Sequence, residues 1–158
     1  MKILFKKLNQ NAIVPNRGSP WSVGQDIYSC ENVIIQPWSS ACISTGIAIE
    51  PTKEYSTVEW SKSSYNDVFK PNFYIRVAPR SGLAMKNINV HAGVIDADYR
   101  GEIKVILFNH NDTPFSIEQG SKIAQLIVEI AIPDIQWEET NMLDNTQRGS
   151  NGFGSTGY

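Results

Sequence analysis

The chain has 158 residues, which is the size of one domain with a real hydrophobic core. Its formal net charge of −2 and its pI near 5.7 argue against a nucleic-acid-binding protein, because binding to a phosphate backbone needs a clustered excess of Lys and Arg. A few well-placed cations still suffice to bind a single small anionic ligand.

Short strand-like segments dominate the chain, and they are rich in β-branched and aromatic residues between Gly, Pro, Asn and Asp. In chain order they are Ile3–Leu8, Val33–Gln36, Ala41–Ile49, Asn72–Val77, Ile103–Phe108 and Ile123–Ile130. No long window shows the repeat of an amphipathic helix, although Ser81–Asn87 has the pattern of one or two helical turns. The sequence therefore predicts an all-β barrel or sandwich with one short helix.

The N-terminus is basic, but its apolar run breaks after three residues, which is too short for a signal-peptide core or a membrane span. Cys30 and Cys42 lack CxxC or Cys/His spacing, so the sequence indicates neither a zinc site nor a disulfide framework. We expect both to be free, buried thiols in a reducing compartment. These features predict a soluble cytoplasmic protein without membrane contact.

Two regions depart from the strand pattern. Residues 51–71 are polar with scattered aromatic residues, and they predict a long excursion between two strands. That excursion is either a folded-back surface loop or a binding surface for a protein partner, with these aromatic anchors: Tyr55, Trp60, Tyr65 and Phe69. The tail from Thr146 is nearly all small, polar or Gly, and ordering it costs roughly 1–2 kcal/mol per residue. If the tail has a function, we expect it to close over a bound ligand.

Five short stretches place polar side chains where they can act chemically, although each has an ordinary structural explanation as well. Residues 23–29 place Asp26 just after a Gly, as in a turn that enters a strand. Residues 78–86 place Arg80, Ser81 and Gly82 where a strand gives way to a helical turn. Main-chain N–H groups, a hydroxyl and a guanidinium at a helix start can hold an anion, but they also occur in ordinary caps.

The other three stretches lie in the second half of the chain. Residues 93–101 predict a hairpin turn with two carboxylates and an aromatic ring. Residues 120–128 form a strand whose apolar run is broken by Gln125, which either faces water or reaches into a site. Residues 148–157 supply a guanidinium, three hydroxyls, a ring and four glycines, a combination that suits phosphate and a nucleobase.

Together the five stretches resemble the five motifs of the trimeric dUTPase family, in the same order and from Val23 to Gly157. Gly93–Gly101 and Arg148–Gly157 match most closely. The resemblance implies a distorted β-barrel or jelly-roll with one short helix, formed by residues 1–147. It also implies a Gly-rich arm at 148–158 that is exchanged between the subunits of a homotrimer with shared active sites.

The family resemblance implies Mg²⁺-dependent hydrolysis of dUTP to dUMP and pyrophosphate, which lowers dUTP and supplies dUMP for thymidylate synthesis. Asp96 matches the carboxylate that orients and deprotonates the water that attacks the α-phosphorus. Mg²⁺ would be held mainly by the substrate phosphates, with Asp26 binding it through water.

The remaining implied contacts bind the nucleotide. The family reads uracil with the main chain, which here is that of Gly93, Val94, Ile95 and Asp96 and of the strand near Lys104. Tyr99 matches the residue that packs on deoxyribose and excludes a 2′-hydroxyl. Phosphate contacts match Arg80, Ser81, Gly82 and Gln125, and the arm contributes Arg148, Phe153, Gly154, Ser155 and Thr156. In the family, the second and fourth motifs come from one subunit, the third from another and the fifth from the last.

Three departures qualify the match. The first motif usually reads Ala-Gly-aromatic-Asp-Leu, whereas this chain has Val23-Gly24-Gln25-Asp26-Ile27, and Ala97 stands where Glu or Ser is common. Residues 51–71 have no counterpart in compact members, although some phage enzymes carry inserts there; a phage or viral origin would place the protein in the host cytoplasm. Two alternatives are a regulatory binding protein that acts through this insert and a dCTP deaminase of the same fold. The deaminase would need a catalytic Glu that residues 93–99 do not supply.

Overall fold

The fold is all-β with one short helix, as the sequence predicts. The computed structural model describes residues 2–52, 73–131 and 135–151. Within these ranges there are twelve strands and one helix: β1 Ile3–Lys7, β2 Asn16–Arg17, β3 Gln25–Tyr28, β4 Val33–Ile35, β5 Ser39–Ser44, β6 Ile47–Pro51, β7 Phe73–Ala78, α1 Ser81–Ala84, β8 Ile88–Val90, β9 Val94–Ile95, β10 Lys104–Asn109, β11 Phe115–Ile117 and β12 Lys122–Ile130. None of the helices in these ranges is long and apolar enough to cross a membrane.

The strands form four small antiparallel sheets. The largest has the order β2-β3-β12-β7-β9, and a second has the order β5-β10-β8. The other two sheets are the pairs β1-β6 and β11-β4. Because few of the neighbours are consecutive in the chain, residues far apart in sequence meet in the largest sheet, which carries most of the candidate site.

One hydrophobic core, rich in isoleucine, lies between the sheets. Along β10 the alternate residues Val105, Leu107 and Asn109 are buried, as the two-residue period of a half-buried strand requires. Each fully buried aliphatic side chain contributes about 1.5–3 kcal/mol. The buried Asn109 amide donates to the carbonyls of Ile35 and Thr113, so its burial leaves no polar group unpaired at that nitrogen.

The prediction of a single strand at Ala41–Ile49 is wrong. A turn at Thr45 and Gly46 divides this segment into β5 and β6. Gly46 has φ +67°, and an added Cβ would lie 2.9 Å from the Cβ atoms of Asn9 and Ala12. The residues Ser44, Thr45 and Gly46 therefore interrupt the apolar run at a break that depends on glycine.

The two cysteines differ in their environments, and both are free. Cys30 is buried, and burial, followed by the nearby carboxylates of Glu102 and Glu31, raises the pKa of its thiol. Cys42 is exposed on β5, so the prediction of a buried thiol is wrong there. Its position alternates with buried Ile43, which places it on the outer face of the strand.

Most of the predicted 51–71 excursion lies outside the described residues, including Tyr55, Trp60, Tyr65 and Phe69. Its first two residues still belong to the body of the fold. Pro51 ends β6 opposite Ile3, and the main-chain N–H of Thr52 donates to the Lys2 carbonyl at 3.0 Å.

Candidate active site

Three of the five predicted stretches meet in the largest sheet. Asp26 on β3 lies opposite Gln125 on β12, and Gln125 lies opposite Ala78 at the end of β7. Arg80 follows two residues after that strand end. The sheet order therefore brings residues from the first, second and fourth motifs together in one chain.

Two cations bind the carboxylate of Asp26. Arg80 Nε lies 2.9 Å from Oδ1, and Lys122 Nζ lies 2.8 Å from Oδ2. The Asp26 side chain is 13% exposed, so both ion pairs are partly shielded from water. The three groups carry a net positive charge, which suits a phosphate ligand. Lys122 is absent from the predicted site, and the fourth motif that contains it offers no separate signal.

Gln125 is partly buried and is held between the first and second motifs. Its Nε2 donates to the Pro79 carbonyl at 2.9 Å. A Cβ added at Gly24 would lie 1.9 Å from Gln125 Oε1, so a larger residue would displace the amide from this position. This contact explains the glycine that survives in the otherwise divergent first motif.

Helix α1 begins directly after Arg80, within the predicted Ser81–Asn87 segment. Arg80 is the N-cap residue, and no side chain caps the helix. Among the residues that the structure describes, no acceptor pairs with the main-chain N–H groups of Ser81 and Gly82. A Cβ built on Gly82 meets nothing within 4 Å, so space is open beside these donors. Main-chain N–H groups at a helix start can bind an anion.

The third motif begins as a strand at the edge of the same sheet. Val94 and Ile95 pair with Arg76 and Ile75, and the Val77 N–H donates to the Gly93 carbonyl at 2.8 Å. A Cβ at Gly93 would lie 2.7 Å from the Val77 carbonyl oxygen, so this close approach requires glycine. The predicted hairpin is corrected in one respect: the chain turns after β9, but β10 joins a different sheet.

Asp96 and Tyr99 are the ends of one turn. The Tyr99 N–H donates to the Asp96 carbonyl at 3.0 Å, and Tyr99 Oη donates to the Glu102 carbonyl at 3.1 Å. Arg100, which sequence reasoning left without a role, donates to the carbonyls of Ala97 and Tyr99 and braces the turn. Both Asp96 and Tyr99 are exposed, so the carboxylate and the ring are accessible to a ligand.

Lys104 begins β10 opposite Ser44. Its Nζ lies 3.8 Å from Glu102 Oε2, and its side chain is half exposed. Such an exposed, loosely paired ammonium contributes little to stability. The main chain of this strand is the part that the resemblance assigns to uracil.

A single chain leaves the third motif apart from the Asp26 cluster. Three strand spacings separate β3 from β9, and about four residues along the strands separate Ala78 from the position opposite Asp96, so the Cα atoms of Asp26 and Asp96 are roughly 20 Å apart. One triphosphate group is too short to bridge that separation.

The described part of the tail contacts neither group. Residues 135–151 are exposed throughout. Arg148 Nε donates to the Asn151 carbonyl at 3.1 Å, within a local turn that includes Gly149 at φ +53°. The predicted residues Phe153, Gly154, Ser155 and Thr156 lie outside the described residues.

The donor groups fit a metal ion that arrives with its substrate. Within residues 2–52, 73–131 and 135–151, no group of three or more His, Cys, Asp or Glu side chains could hold a metal ion. Asp26 offers one carboxylate beside the cations that would bind phosphate. Mg²⁺ commonly keeps several waters and binds one or two carboxylates plus substrate phosphates, which agrees with this arrangement.

Comparison with solved structures defines the class of fold. The chain matches the Staphylococcus bacteriophage 80alpha dUTPase with dUPNHPP at a TM-score of 0.79 and 24% identity, over 99% of each chain. It matches a variant of the phage phi11 dUTPase of S. aureus, studied for the coordination of a structural Mg(II) ion, at a TM-score of 0.69 and 21% identity, over 90% of this chain and 98% of that one. The architecture is therefore that of the dUTPases.

Sequence comparison gives the family itself. The dUTPase family model matches residues 65–157. The deoxyuridine 5'-triphosphate nucleotidohydrolase of Oryza sativa subsp. japonica is 44% identical over 154 residues, which cover 96% of this chain and 78% of the relative. The chain belongs to the dUTPase family.

Proposed function

We propose that the chain hydrolyses dUTP to dUMP and pyrophosphate at sites that three copies of it build together, with Asp96 as the base. As a member of the dUTPase family the chain is a dUTP nucleotidohydrolase, like relatives that share 44% of its residues over nearly its whole length. The observation that carries the assembly of the site is the grouping of Asp26, Arg80 and Gln125 in one sheet, roughly 20 Å from Asp96.

The anionic end of the substrate binds at the Asp26 cluster. Arg80 and Lys122 supply cationic hydrogen-bond donors, and the N–H groups of Ser81 and Gly82, which have no acceptor among the described residues, follow Arg80 directly. Gln125 fixes the Pro79 carbonyl and thereby the start of α1. Asp26 would hold Mg²⁺ through its water ligands, and the ion would neutralise part of the phosphate charge.

The reacting end binds at the third motif of a neighbouring copy. Asp96 lies exposed at the start of its turn, where its carboxylate can accept a proton from water and direct that water to the α-phosphorus. Main-chain groups of Gly93–Asp96 and of the strand at Lys104 read uracil. A pocket that hydrogen-bonds the base edge rejects cytosine, because the exchange of donor and acceptor leaves buried groups unpaired. The Tyr99 ring packs on deoxyribose and excludes a 2′-hydroxyl.

The arm of a third copy closes the site. Several apolar side chains in the described tail are more than half exposed: Ile135, Trp137, Met142 and Leu143. Such side chains gain by burial against another chain. Contacts of Arg148 with phosphate, of Phe153 with uracil, and of Gly154, Ser155 and Thr156 with the phosphates then exclude water from the reacting centre.

Separate incubations with dUTP, dCTP, dTTP and UTP in the presence of Mg²⁺ test the reaction. We expect dUMP and pyrophosphate from dUTP and little product from the other three. Deamination of dCTP would instead indicate the related deaminase chemistry, and intact dUTP would refute the proposal. Binding of a protein partner through residues 51–71 stays a prediction, since residues 53–72 lie outside the described ranges.

A further inference from the structure

Residues 45–47 and residues 102–103, which lie outside the predicted contact residues, are joined by hydrogen bonds beside the third motif. Three hydrogen bonds join them: Gly46 N–H to Glu102 Oε1 at 2.8 Å, Thr45 Oγ1 to the Ile103 carbonyl at 2.6 Å, and Ile103 N–H to the Ile47 carbonyl at 2.8 Å. We call this set the 45–103 clamp. It holds the chain directly after the turn that carries Tyr99.

The β5–β6 side of the 45–103 clamp is rigid. Thr45, Ile47 and Ile103 are buried, so water does not compete for their hydrogen bonds. Gly46 is confined by the side chains of Asn9 and Ala12, and its N–H depends on one carboxylate oxygen of Glu102. The turn is thus a fixed point to which Glu102 is tied.

The same residue holds the Tyr99 hydroxyl. The Glu102 carbonyl accepts the hydrogen bond from Tyr99 Oη at 3.1 Å. Tyr99 is 46% exposed, so packing within the chain does not fix its ring. Gly101 makes the contact feasible, because a Cβ there would lie 2.3 Å from Tyr99 Oη. The ring orientation therefore depends on where the Glu102 carbonyl lies.

We propose that Glu102 is a positioning residue for Tyr99 and so contributes to the choice of deoxyribose over ribose. Its carboxylate ties the main chain to the Gly46 N–H, and its carbonyl then sets the plane of the Tyr99 ring. This inference rests on the role of Tyr99 given under the proposed function. The acceptor oxygen is the essential part, because the contact of Glu102 with Lys104 is long and half exposed.

The test compares Glu102→Ala with Glu102→Gln, whose amide oxygen still accepts from Gly46. The measured quantity is the ratio of kcat/KM for dUTP to kcat/KM for UTP, together with Tm. If Glu102→Ala removes the contribution of one hydrogen bond to the orientation of the Tyr99 ring, this ratio should fall about fivefold. Glu102→Gln should keep the ratio near that of the wild type. A merely structural role would lower Tm without changing the ratio, and that result would overturn the inference.

Tyr99→Phe gives a second route, because it removes only an exposed hydroxyl and should fold even if Glu102→Ala does not. The dUTP/UTP ratio of kcat/KM should also fall in Tyr99→Phe. The double variant Tyr99→Phe/Glu102→Gln should have the same ratio as Tyr99→Phe alone. Where Glu102→Ala folds, an additive loss in Tyr99→Phe/Glu102→Ala would refute the coupling. Tyr99→Ala separates the two proposals. An unchanged ratio there removes the role of Tyr99 and with it the inference, whereas a changed ratio beside an unaffected Glu102→Ala removes the inference alone.

Discussion

Three glycines of the candidate site lie directly against groups that a larger residue would displace. Gly24 leaves room for the Gln125 amide, Gly93 for the Val77 carbonyl and Gly101 for the Tyr99 hydroxyl. Motif matching alone marks these positions as glycine, but only the fold shows what each one accommodates. A methyl group at any of them would displace a group that the proposed site uses.

Asp96→Asn tests the base at the residue scale. The amide cannot accept a proton from water, so kcat should fall by roughly 10²–10⁴-fold. Nucleotide affinity should change little, because the side chains proposed to bind phosphate stay intact. Steady-state kinetics and equilibrium binding of dUTP measure the two effects.

Asp112→Asn is the matched control for this substitution, since Asp112 is an exposed carboxylate in a turn outside the candidate site. It should leave kcat near the wild-type value. An Asp96→Asn enzyme with unchanged kcat would remove Asp96 from the base role.

At the scale of elements, strong apolar runs predicted most of the longer strands, although the segment Ala41–Ile49 was predicted as one strand instead of β5 and β6. The predicted Ile123–Ile130 is β12 apart from one residue, because a long run rich in β-branched and apolar residues leaves a clear pattern. The two- and three-residue strands β2, β8, β9 and β11 leave almost none. For the same reason the ion pair between Asp26 and Lys122 was not predictable, because it depends on which strand lies beside β3.

Strands β7 and β12 also carry a hydrogen-bonded charge cluster away from Asp26. Tyr74 Oη donates to Glu129 Oε2, and Arg76 Nε donates to Glu129 Oε1 at 2.6 Å. The hydrogen bond from Tyr74, followed by that from Arg76, lowers the pKa of the Glu129 carboxyl. The same bond to Glu129 raises the pKa of the Tyr74 hydroxyl.

The lowered pKa of Glu129 predicts an acid-sensitive contribution to stability. It is present above the ordinary pKa of the carboxyl and is lost as the pH falls through the lowered one. Tyr74→Phe removes the main cause of the shift. We therefore expect its deficit in unfolding free energy to be largest near neutral pH and to shrink in acid, as measured by urea unfolding between pH 7 and pH 3.

Tyr28→Phe is the control for this series, because Tyr28 Oη donates to Asn16 Oδ1, a neutral acceptor, at 2.9 Å. Its deficit should not vary across the acid range. A Tyr74→Phe deficit that is equally constant would contradict the predicted linkage.

At the scale of the whole molecule, each chain provides only part of the proposed site. The Asp26 cluster, the Asp96 turn and the tail of 135–151 are not in contact within one chain. The division of the site between copies, which the family resemblance implies, stays a prediction, and the individual residues do not indicate the separation within one chain. The distance between the groups follows from the order of strands, which local sequence does not encode.

Mixed assembly tests whether the parts combine between copies. Asp96→Asn chains and chains that lack Arg148–Tyr158 should each be nearly inactive alone. Unfolded together in equal amounts and refolded, they should regain activity at about one quarter of the sites, where an intact Asp96 meets an intact arm from another chain. Sites built within one chain would regain none, and assays before and after joint refolding distinguish the two results.

The exposed apolar side chains of the tail affect how the protein is made. If the copies assemble as proposed, a newly synthesised chain presents Ile135, Trp137, Met142 and Leu143 to water until it meets another copy. Such surfaces also adhere to other unfinished polypeptides. The yield of soluble material should therefore depend on how quickly sister chains encounter each other after translation, so that slow, dilute synthesis favours aggregation over assembly.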